Sequence, residues 1–299
     1  MKKNIAAILF LLLVIFLFGC KSEYVPTATD YFEFEINEDH AVLVSYSGTL
    51  SKIVVPEKYK EYDVTVIGDR AFQKNKNIKN ITIGNNIKQI DNFAFLGCSN
   101  LEYIEIPKSV KKIGVGILTN CVNLKSIVVD PENNFYDSRN ECKAIIETKT
   151  NTLIMGCNET AIPLGVTVIE ESAFSGCNKM VSIIIPNTVV DIKKSAFSNC
   201  SKIRIITIPS SVKSIERNAF YNCSSLSDIV IPKEVEYLGN DLFYGCDYLT
   251  IRCEVSEPLS GWEYDWNSTD LEVVWDYKNK NWWKRFNAIT LINEKVYNI

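Results

Sequence analysis

A clock of 23 residues runs through this chain and restricts its fold more than any other feature. Phe72, Phe95, Leu118, Phe174, Phe197, Phe220 and Phe243 are separated by 23, 23, 56, 23, 23 and 23 residues, and 56 is 23 plus 33. From the second unit on, cysteine follows three residues later, at Cys98, Cys121, Cys177, Cys200, Cys223 and Cys246. Proline keeps the same step at Pro163, Pro186, Pro209 and Pro232, and Pro107 stands one long step of 56 before Pro163. Chance does not give three residue types one shared period. Repetition at this length marks a stacked array.

One unit reads Leu226, Ile229, Ile231, Pro232, Val235, Leu238, Phe243 and Cys246. The two before it place Ile203, Ile206, Ile208, Pro209, Val212, Ile215, Phe220, Cys223 and Met180, Ile183, Ile185, Pro186, Val189, Ile192, Phe197, Cys200 in the same order. Ile-x-Ile puts two side chains on one face of a short strand. Proline then ends ladder pairing. Val-x-x-Ile and Ala-Phe-x-x-Cys turn the chain back, with helical or turn-like spacing around the Phe. A unit this small cannot enclose its own apolar positions, so units must stack and share one core. With strands about 4.8 Å apart, eight coils span roughly 35–40 Å. This predicts one elongated domain, where a length of 299 residues alone would suggest two.

The pattern Leu-x-x-Ile-x-Ile-Pro-x-x-Val-x-x-Ile, then Ala-Phe-x-x-Cys-x-x-Leu, resembles the BspA-like leucine-rich repeats of bacterial surface proteins. The resemblance runs from Tyr31 to Tyr277. It implies an α/β repeat solenoid: a leucine-rich-repeat, right-handed superhelix of 23-residue coils, with a parallel β-sheet on one face and β-rich caps. It also implies adhesion to host or bacterial proteins. The chain departs from the commonest leucine-rich repeat eight residues after the first Leu, where Asn or Cys is usual. Ser109, Thr188, Ser211 and Glu234 stand there, so no interior asparagine ladder is expected.

The ends are read separately. Lys2 and Lys3 precede an apolar run, Ile5 to Phe18, of 14 residues. That is a secretory signal pattern, too short for a membrane span, which needs about 20. Leu17-Phe18-Gly19-Cys20 resembles a bacterial lipobox, although Phe18 stands where a small residue is usual. The resemblance implies cleavage before Cys20, a diacylglycerol on its sulfur, and anchorage to a bacterial membrane through lipid chains. Ordinary secretion, with Cys20 left near the cut, is the alternative. Loss of Lys2 and Lys3 from 32 basic residues leaves 30 against 36 acidic ones, net −6. The expected organisation is a lipoprotein signal peptide at 1–19, a tether at 20–30, the repeat domain at 31–277 and a tail at 278–299. Within the repeat domain, 31–49 forms a capping hairpin, 130–162 an inserted coil and 254–277 a C-terminal cap. Lys143 to Glu147 and Asn151 to Met155 could pair around Thr148-Lys149-Thr150. Trp262, Trp266 and Trp275 suit the cap.

Composition excludes several chemistries. A net charge of −4 gives no basic footprint for nucleic acid. His40 is the single histidine and lies in the turn of the capping hairpin, with no partner motif. The chain holds no phosphate-binding glycine loop and no CxxC or His pair for zinc, so neither metal nor cofactor is expected. The chain reads as noncatalytic. The periodic cysteines are expected as buried filler, since free Cys is among the most buried residue types. Cys142 and Cys157 flank the proposed hairpin and could form a disulfide, which sequence cannot decide.

Two surfaces remain as candidates. The residue between the strand isoleucines faces outward: Val54, Thr82, Glu105, Val128, Ile184, Thr207 and Val230. This row is more apolar than solvent alone requires. Thr82, Glu105, Val128, Ile184, Thr207 and Val230 make the candidate protein-binding face, with a host or bacterial surface protein as partner. The other candidate is Trp282 and Trp283, an aromatic patch beside Lys284 and Arg285 that could hold polysaccharide, against which stands plain packing on the last coil. A purely structural envelope role is a third reading. The expected location is the cell surface. If the Phe row is interior, Phe197→Ala costs about 3–5 kcal/mol, measured by denaturation. An unchanged midpoint would contradict the placement.

Overall fold

A computed structural model describes residues 29–278. The chain is a solenoid built from parallel strands, about 23 residues to the coil. The Ile-x-Ile segments form the first sheet. Lys52–Val54, Asn80–Thr82, Tyr103–Ile106 and Ser126–Val129 stack in parallel, and Ser182–Ile184 pairs with Ile205–Thr207 in the same way. Asp228–Ile231, Thr250–Cys253 and Val273–Val274 form a third parallel group on this side, which does not pair with Ile205–Thr207. Register is held one to one, so Ile81, Ile104 and Ile127 stack in one inward file. A slip of one residue would turn that file to solvent.

The Val-x-x-Ile segments form a second set of short parallel strands, which the single expected sheet did not include. Tyr62–Ile67, Gln89–Ile90 and Lys112–Ile113 make one run. Thr152–Met155, Val168–Ile169, Asp191–Ile192, Ser214–Ile215 and Tyr237–Leu238 make the other. The core lies between the two layers.

The arc carrying Phe and Cys is a chain of turns. Among the described residues the helical elements are two three-residue 3-10 pieces, Thr29–Tyr31 and Arg139–Glu141. Two left-handed residues in each arc prevent an α-helix. One row is Arg70, Phe93, Gly116, Ser172, Ser195, Asn218 and Asp241, and the other is Lys74, Gly97, Asn120, Gly176, Asn199, Asn222 and Gly245. From Gly97 on the second row is only Gly or Asn, the residues that tolerate this conformation best. At Gly176 a Cβ would come within 2.6 Å of the Asn120 backbone, so glycine also meets a steric demand. The arcs bond to each other: Phe72 N–H donates to Ala94 O at 2.7 Å, Phe174 to Ala196 O at 2.7 Å and Phe197 to Ala219 O at 2.8 Å. Their rings stack inside. Phe72–Phe95 and Phe174–Phe197 have centroids 5.1 Å apart, Phe197–Phe220 5.6 Å and Phe220–Phe243 5.7 Å. Dispersion and burial of these fully enclosed rings hold neighbouring coils together.

Each end is closed by aromatic groups. Phe32–Asn37 and His40–Tyr46 form an antiparallel hairpin, and its second strand joins Tyr62–Ile67 in parallel. Phe32 and Tyr46 meet Phe72 there. At the other end Trp262 and Trp266 are buried against the last coil with Trp275. Trp262 Nε1–H donates to Val235 O at 3.1 Å, which satisfies the indole.

The inserted residues act as a partition. Ile145–Glu147 and Thr152–Met155 form an antiparallel hairpin with two apolar faces. Ile145, Met155 and Cys157 belong to the core on the N-terminal side, while Ala144, Ile146 and Leu153 belong to the core on the C-terminal side. The arcs pass the insertion by: Asn120 N–H donates straight to Ser175 O at 3.0 Å, across 55 residues. Gly156 takes one arc position, donating to Ala173 O at 2.9 Å, and a Cβ there would strike the Phe174 ring. On the strand side Ser126–Val129 does not pair with Ser182–Ile184. Asn158 bonds across the break, and Asn133 ties down its N-terminal margin. Asn158 Nδ2 donates to Val122 O and Leu124 O at 3.1 and 3.2 Å, and its Oδ1 accepts from Lys179 N–H at 3.0 Å. Buried Asn133 donates to Pro107 O and Val110 O and accepts from the N–H groups of Phe135 and Tyr136. Asn158→Ala strands three backbone groups at a partly buried junction. It is expected to cost about 1–3 kcal/mol, read from the urea midpoint. An unshifted midpoint would remove Asn158 from the splice.

Candidate functional site

The face to consider is the outward side of the first sheet. Strand alternation fixes it. Ile183, Ile206 and Ile229 are buried, so the residues on either side of each point away from the core. Two rows therefore face outward. One is the anticipated row, which holds Thr82, Glu105, Val128, Ile184, Thr207 and Val230 and continues to Arg252. The other precedes the buried isoleucine and holds Asn80, Tyr103, Ser126, Ser182, Ile205 and Asp228.

Two missing strand pairings, between Ser126–Val129 and Ser182–Ile184 and between Ile205–Thr207 and Asp228–Ile231, divide this face into three groups of strands. The N-terminal group carries polar contacts beside half-buried Val128. Lys125 Nζ lies 3.1 Å from Glu102 Oε2, and Tyr103 O–H donates to Glu105 Oε2 at 3.1 Å. Partial burial, then the Glu105 carboxylate, push the Tyr103 phenol up to about 12, so it remains a donor at neutral pH. The middle group holds the exposed apolar side chains of this face. Ile205 is 52% exposed and Val181, one step further out, 54%, beside half-buried Ile184 and Val230. An ion pair ends the patch: Arg252 Nε donates to Asp228 Oδ1 at 2.8 Å, and the Arg252 guanidinium lies 5.2 Å from the centre of the Tyr277 ring.

The six anticipated face residues thus share one side of the molecule but sit in three separate groups, Thr82, Glu105 and Val128, then Ile184 and Thr207, then Val230. Val181, Ile205 and Tyr103 were not anticipated. Their signal was available in the alternation before each buried isoleucine, but Ile205-Ile206 is an apolar run that hides which residue points inward. Cys20, Trp282 and Trp283 lie outside the described residues. Cys142 and Cys157 are free thiols, which corrects the suggested bridge. The hairpin separates them, since Cys142 faces one core and Cys157 the other.

A shallow groove also crosses the arcs, lined by Asn120, Asn178, Asn199, Asn222 and Asp247 among others. Asn120, Asn199 and Asn222 are residues that the left-handed turns require, so backbone conformation accounts for their presence. The hydroxyls in place of an asparagine ladder have a comparable structural use. Ser109 donates to Ile87 O, Thr188 to Val166 O and Ser211 to Val189 O, at 2.6, 2.7 and 2.7 Å.

The cysteine row is chemically quiet. Cys98, Cys121, Cys200, Cys223 and Cys246 each aim Sγ at the carbonyl of a Phe in the preceding coil, at 3.1–3.2 Å. That carbonyl also accepts the N–H three residues on in its own turn, as Phe197 O does from Cys200. Each thiol is therefore a small buried donor between coils. Burial pushes Cys98 and Cys246 up to about 12 and Cys121, Cys200 and Cys223 well above the ordinary thiol range. A nucleophile needs the thiolate, which these sites suppress. Among the described residues, no group of three His, Cys, Asp or Glu could hold a metal ion. Exposed Asp39 is the acid beside His40, at 3.1 Å.

A family model described as BspA type Leucine rich repeat region matches in six copies, over residues 44–153 and 145–257. Among solved structures, the chain is similar to a leucine rich cell surface protein from Faecalibacterium prausnitzii A2-165, with 19% identity and a TM-score of 0.57 over 87% of this chain and 97% of that one. It is also similar to the pneumococcal vaccine antigen PcpA, with 23% identity and a TM-score of 0.61 over 76% of this chain and 55% of that one. A leucine-rich repeat protein from Bacteroides ovatus ATCC 8483 shares 26% identity and a TM-score of 0.52, over 85% and 71% of the two chains. No curated protein matches.

The thiol row makes stability depend on alkaline pH. The folded thiols hold their protons above the ordinary value of 9.0, so the unfolded chain releases protons first as pH rises. Their contribution is complete below pH 9 and is lost towards pH 12. Between these values the wild type is expected to lose stability about 1.4 kcal/mol per pH unit more steeply than Cys246→Ala, by urea denaturation. Parallel pH profiles would contradict the burial of that thiol.

Proposed function

Because this chain belongs to the BspA type of leucine-rich repeat proteins, we propose that it is a noncatalytic recognition protein displayed at the cell surface. Its outward strand face binds another protein, at the surface of a host cell or another bacterium. The observation that carries this reading is the apolar patch of exposed Val181 and Ile205 with half-buried Ile184 on the outward strand face. The sheet does not need these side chains for its core, which is filled by Ile183, Ile206 and Ile229 from the other side. Clustered apolar side chains left to solvent mark binding surfaces. The N-terminal group of the face, with Tyr103, Glu105 and Lys125, supplies directional contacts around it.

Display at the surface is supported by the likeness to a leucine rich cell surface protein and by the signal-like first segment with Cys20 as its lipid attachment point. Among the described residues no helix is long and apolar enough to cross a membrane. The anchor in this reading is the lipid on Cys20, which rests on the lipobox-like segment before it.

The test is a binding screen of the protein against extracellular proteins, followed by Ile184→Lys and Val230→Lys. Each is expected to weaken binding at least roughly tenfold, the size of an interface hot spot, with the urea midpoint kept. Affinity for a verified protein ligand that does not change would remove the face from the site.

A further inference from the structure

On the arc side the array is unbroken, because Asn120 N–H bonds straight to Ser175 O across the insertion. The groove over the arcs therefore crosses five successive coils, from Asn120 to Gly245. Four steps of strand spacing give it a length of about 20 Å, and its volume is about 590 Å³. Its floor is the backbone of the Cys row, whose thiols point inward.

One wall is the left-handed row, where the turn asks for Gly or Asn. The Asn120 side-chain oxygen occupies the space that a Cβ on Gly176 would need, and the Asn222 oxygen does the same at Gly245. Glycine in the next coil thus leaves room for an amide to lie along the groove. Asn222 Nδ2 donates to Asn199 Oδ1 at 3.1 Å and Asn199 Nδ2 to Ser198 Oγ at 3.0 Å, so these amides are held in line. The turn does not account for the other wall. Asn178, Ser201, Ser224 and Asp247 stand there in successive coils, and none of them has a left-handed backbone.

An amide and a hydroxyl group each donate and accept hydrogen bonds. Among the described residues that line the groove, Asp247 is the single charged one and Val122 the single apolar one. An amphipathic helix would lay apolar side chains on amides here, and a polyanion would meet no cation on the lining. A chain of hydroxyl groups matches it. The walls repeat at each coil, so a ligand that repeats along its length makes the same contacts again at each step. At the C-terminal end, Tyr244 and Tyr248 adjoin the lining residues Gly245 and Asp247 and are 47% and 82% exposed. Tyr244 is stacked on Tyr221 with centroids 5.2 Å apart. A phenol offers an apolar face with a polar edge, a surface on which the C–H face of a sugar ring can rest.

We propose that the arc groove binds an extended, neutral polysaccharide, laid along the solenoid with its hydroxyl groups on Asn178, Asn199, Ser201 and Asn222. This is a second site, away from the strand face, and it does not depend on the protein-binding reading.

The experiment is native affinity electrophoresis of the full chain in gels containing xylan or hydroxyethylcellulose, with flexible dextran as the comparison. Retardation by an extended polymer and not by dextran is expected. Asn199→Gly with Asn222→Gly removes two amides and keeps a backbone that glycine already adopts at 97, 176 and 245. It is expected to raise the dissociation constant roughly tenfold. Ser201→Ala with Ser224→Ala, on the other wall, should weaken retardation with the urea midpoint kept, and decides the matter if the first variant unfolds. A wild type that neither extended polymer retards would overturn the proposal, as would equal retardation by dextran. So would retardation that both groove variants keep, or that Trp282→Ser with Trp283→Ser abolishes, since the sugar then lies elsewhere.

Discussion

Everything in this molecule depends on the contact between one coil and the next. A coil of 23 residues has no inside of its own. Its apolar side chains become buried only when another coil lies on each side, which ties burial to stacking. Three separate ladders enforce that stacking: the Ile-x-Ile strands, the Val-x-x-Ile strands and the turn arcs, where Phe N–H groups reach the next coil. The Phe rings and the thiol-to-carbonyl contacts fill the space between arcs. Because each ladder advances by one coil at a time, the sequence must repeat with the same period in all three. That is the origin of the shared clock of Phe, Cys and Pro.

This dependence also decides what the sequence made legible. Residues that point into the shared core are constrained by both neighbouring coils, so Phe197, Cys200 and Ile206 recur visibly and their burial follows. The arcs were harder. Phe-x-x-Cys spacing fits a helix as well as a turn, and the deciding signal was the Gly/Asn row at 97, 120, 176, 199, 222 and 245, whose left-handed backbone forbids a helix. The second sheet was hidden because each of its strands is mostly two residues long, too short for an alternating pattern. On the candidate face, the row of Thr82 to Val230 was readable from alternation, whereas Ile205 was not, since Ile205 and Ile206 differ only in direction.

The insertion shows how such an array tolerates irregularity. Thirty-three extra residues could have been extruded as a surface loop, leaving the two halves in direct contact. Instead they enter the stack on the strand side and are bypassed on the arc side, where Asn120 bonds Ser175 directly. The price is a broken strand ladder, and the amides of Asn133 and Asn158 supply hydrogen bonds at its two margins. Because Ile145 and Ile146 face opposite ways, the hairpin closes each half with its own apolar surface. The same break separates the N-terminal strands of the outward face from the pair that carries Ile184 and Ile205. An irregularity of the core thus becomes a boundary on the surface.

The outward rows are where the coil-to-coil constraint relaxes. A side chain there touches its register neighbours but fills no space the fold needs, so its identity is free to serve something else. In the N-terminal group that freedom is used for Lys, Glu and Tyr, whose solubility needs no explanation. In the middle group it is used for Val181, Ile184 and Ile205, which gain nothing from water and give nothing to the core. Clustered apolar residues at positions without a packing duty are the feature on which the proposed recognition role rests. Arg252, paired with Asp228 and lying under the Tyr277 ring, marks the margin of this patch. In the proposed role a partner protein has to meet these Val and Ile side chains, which the coil-to-coil contacts leave free.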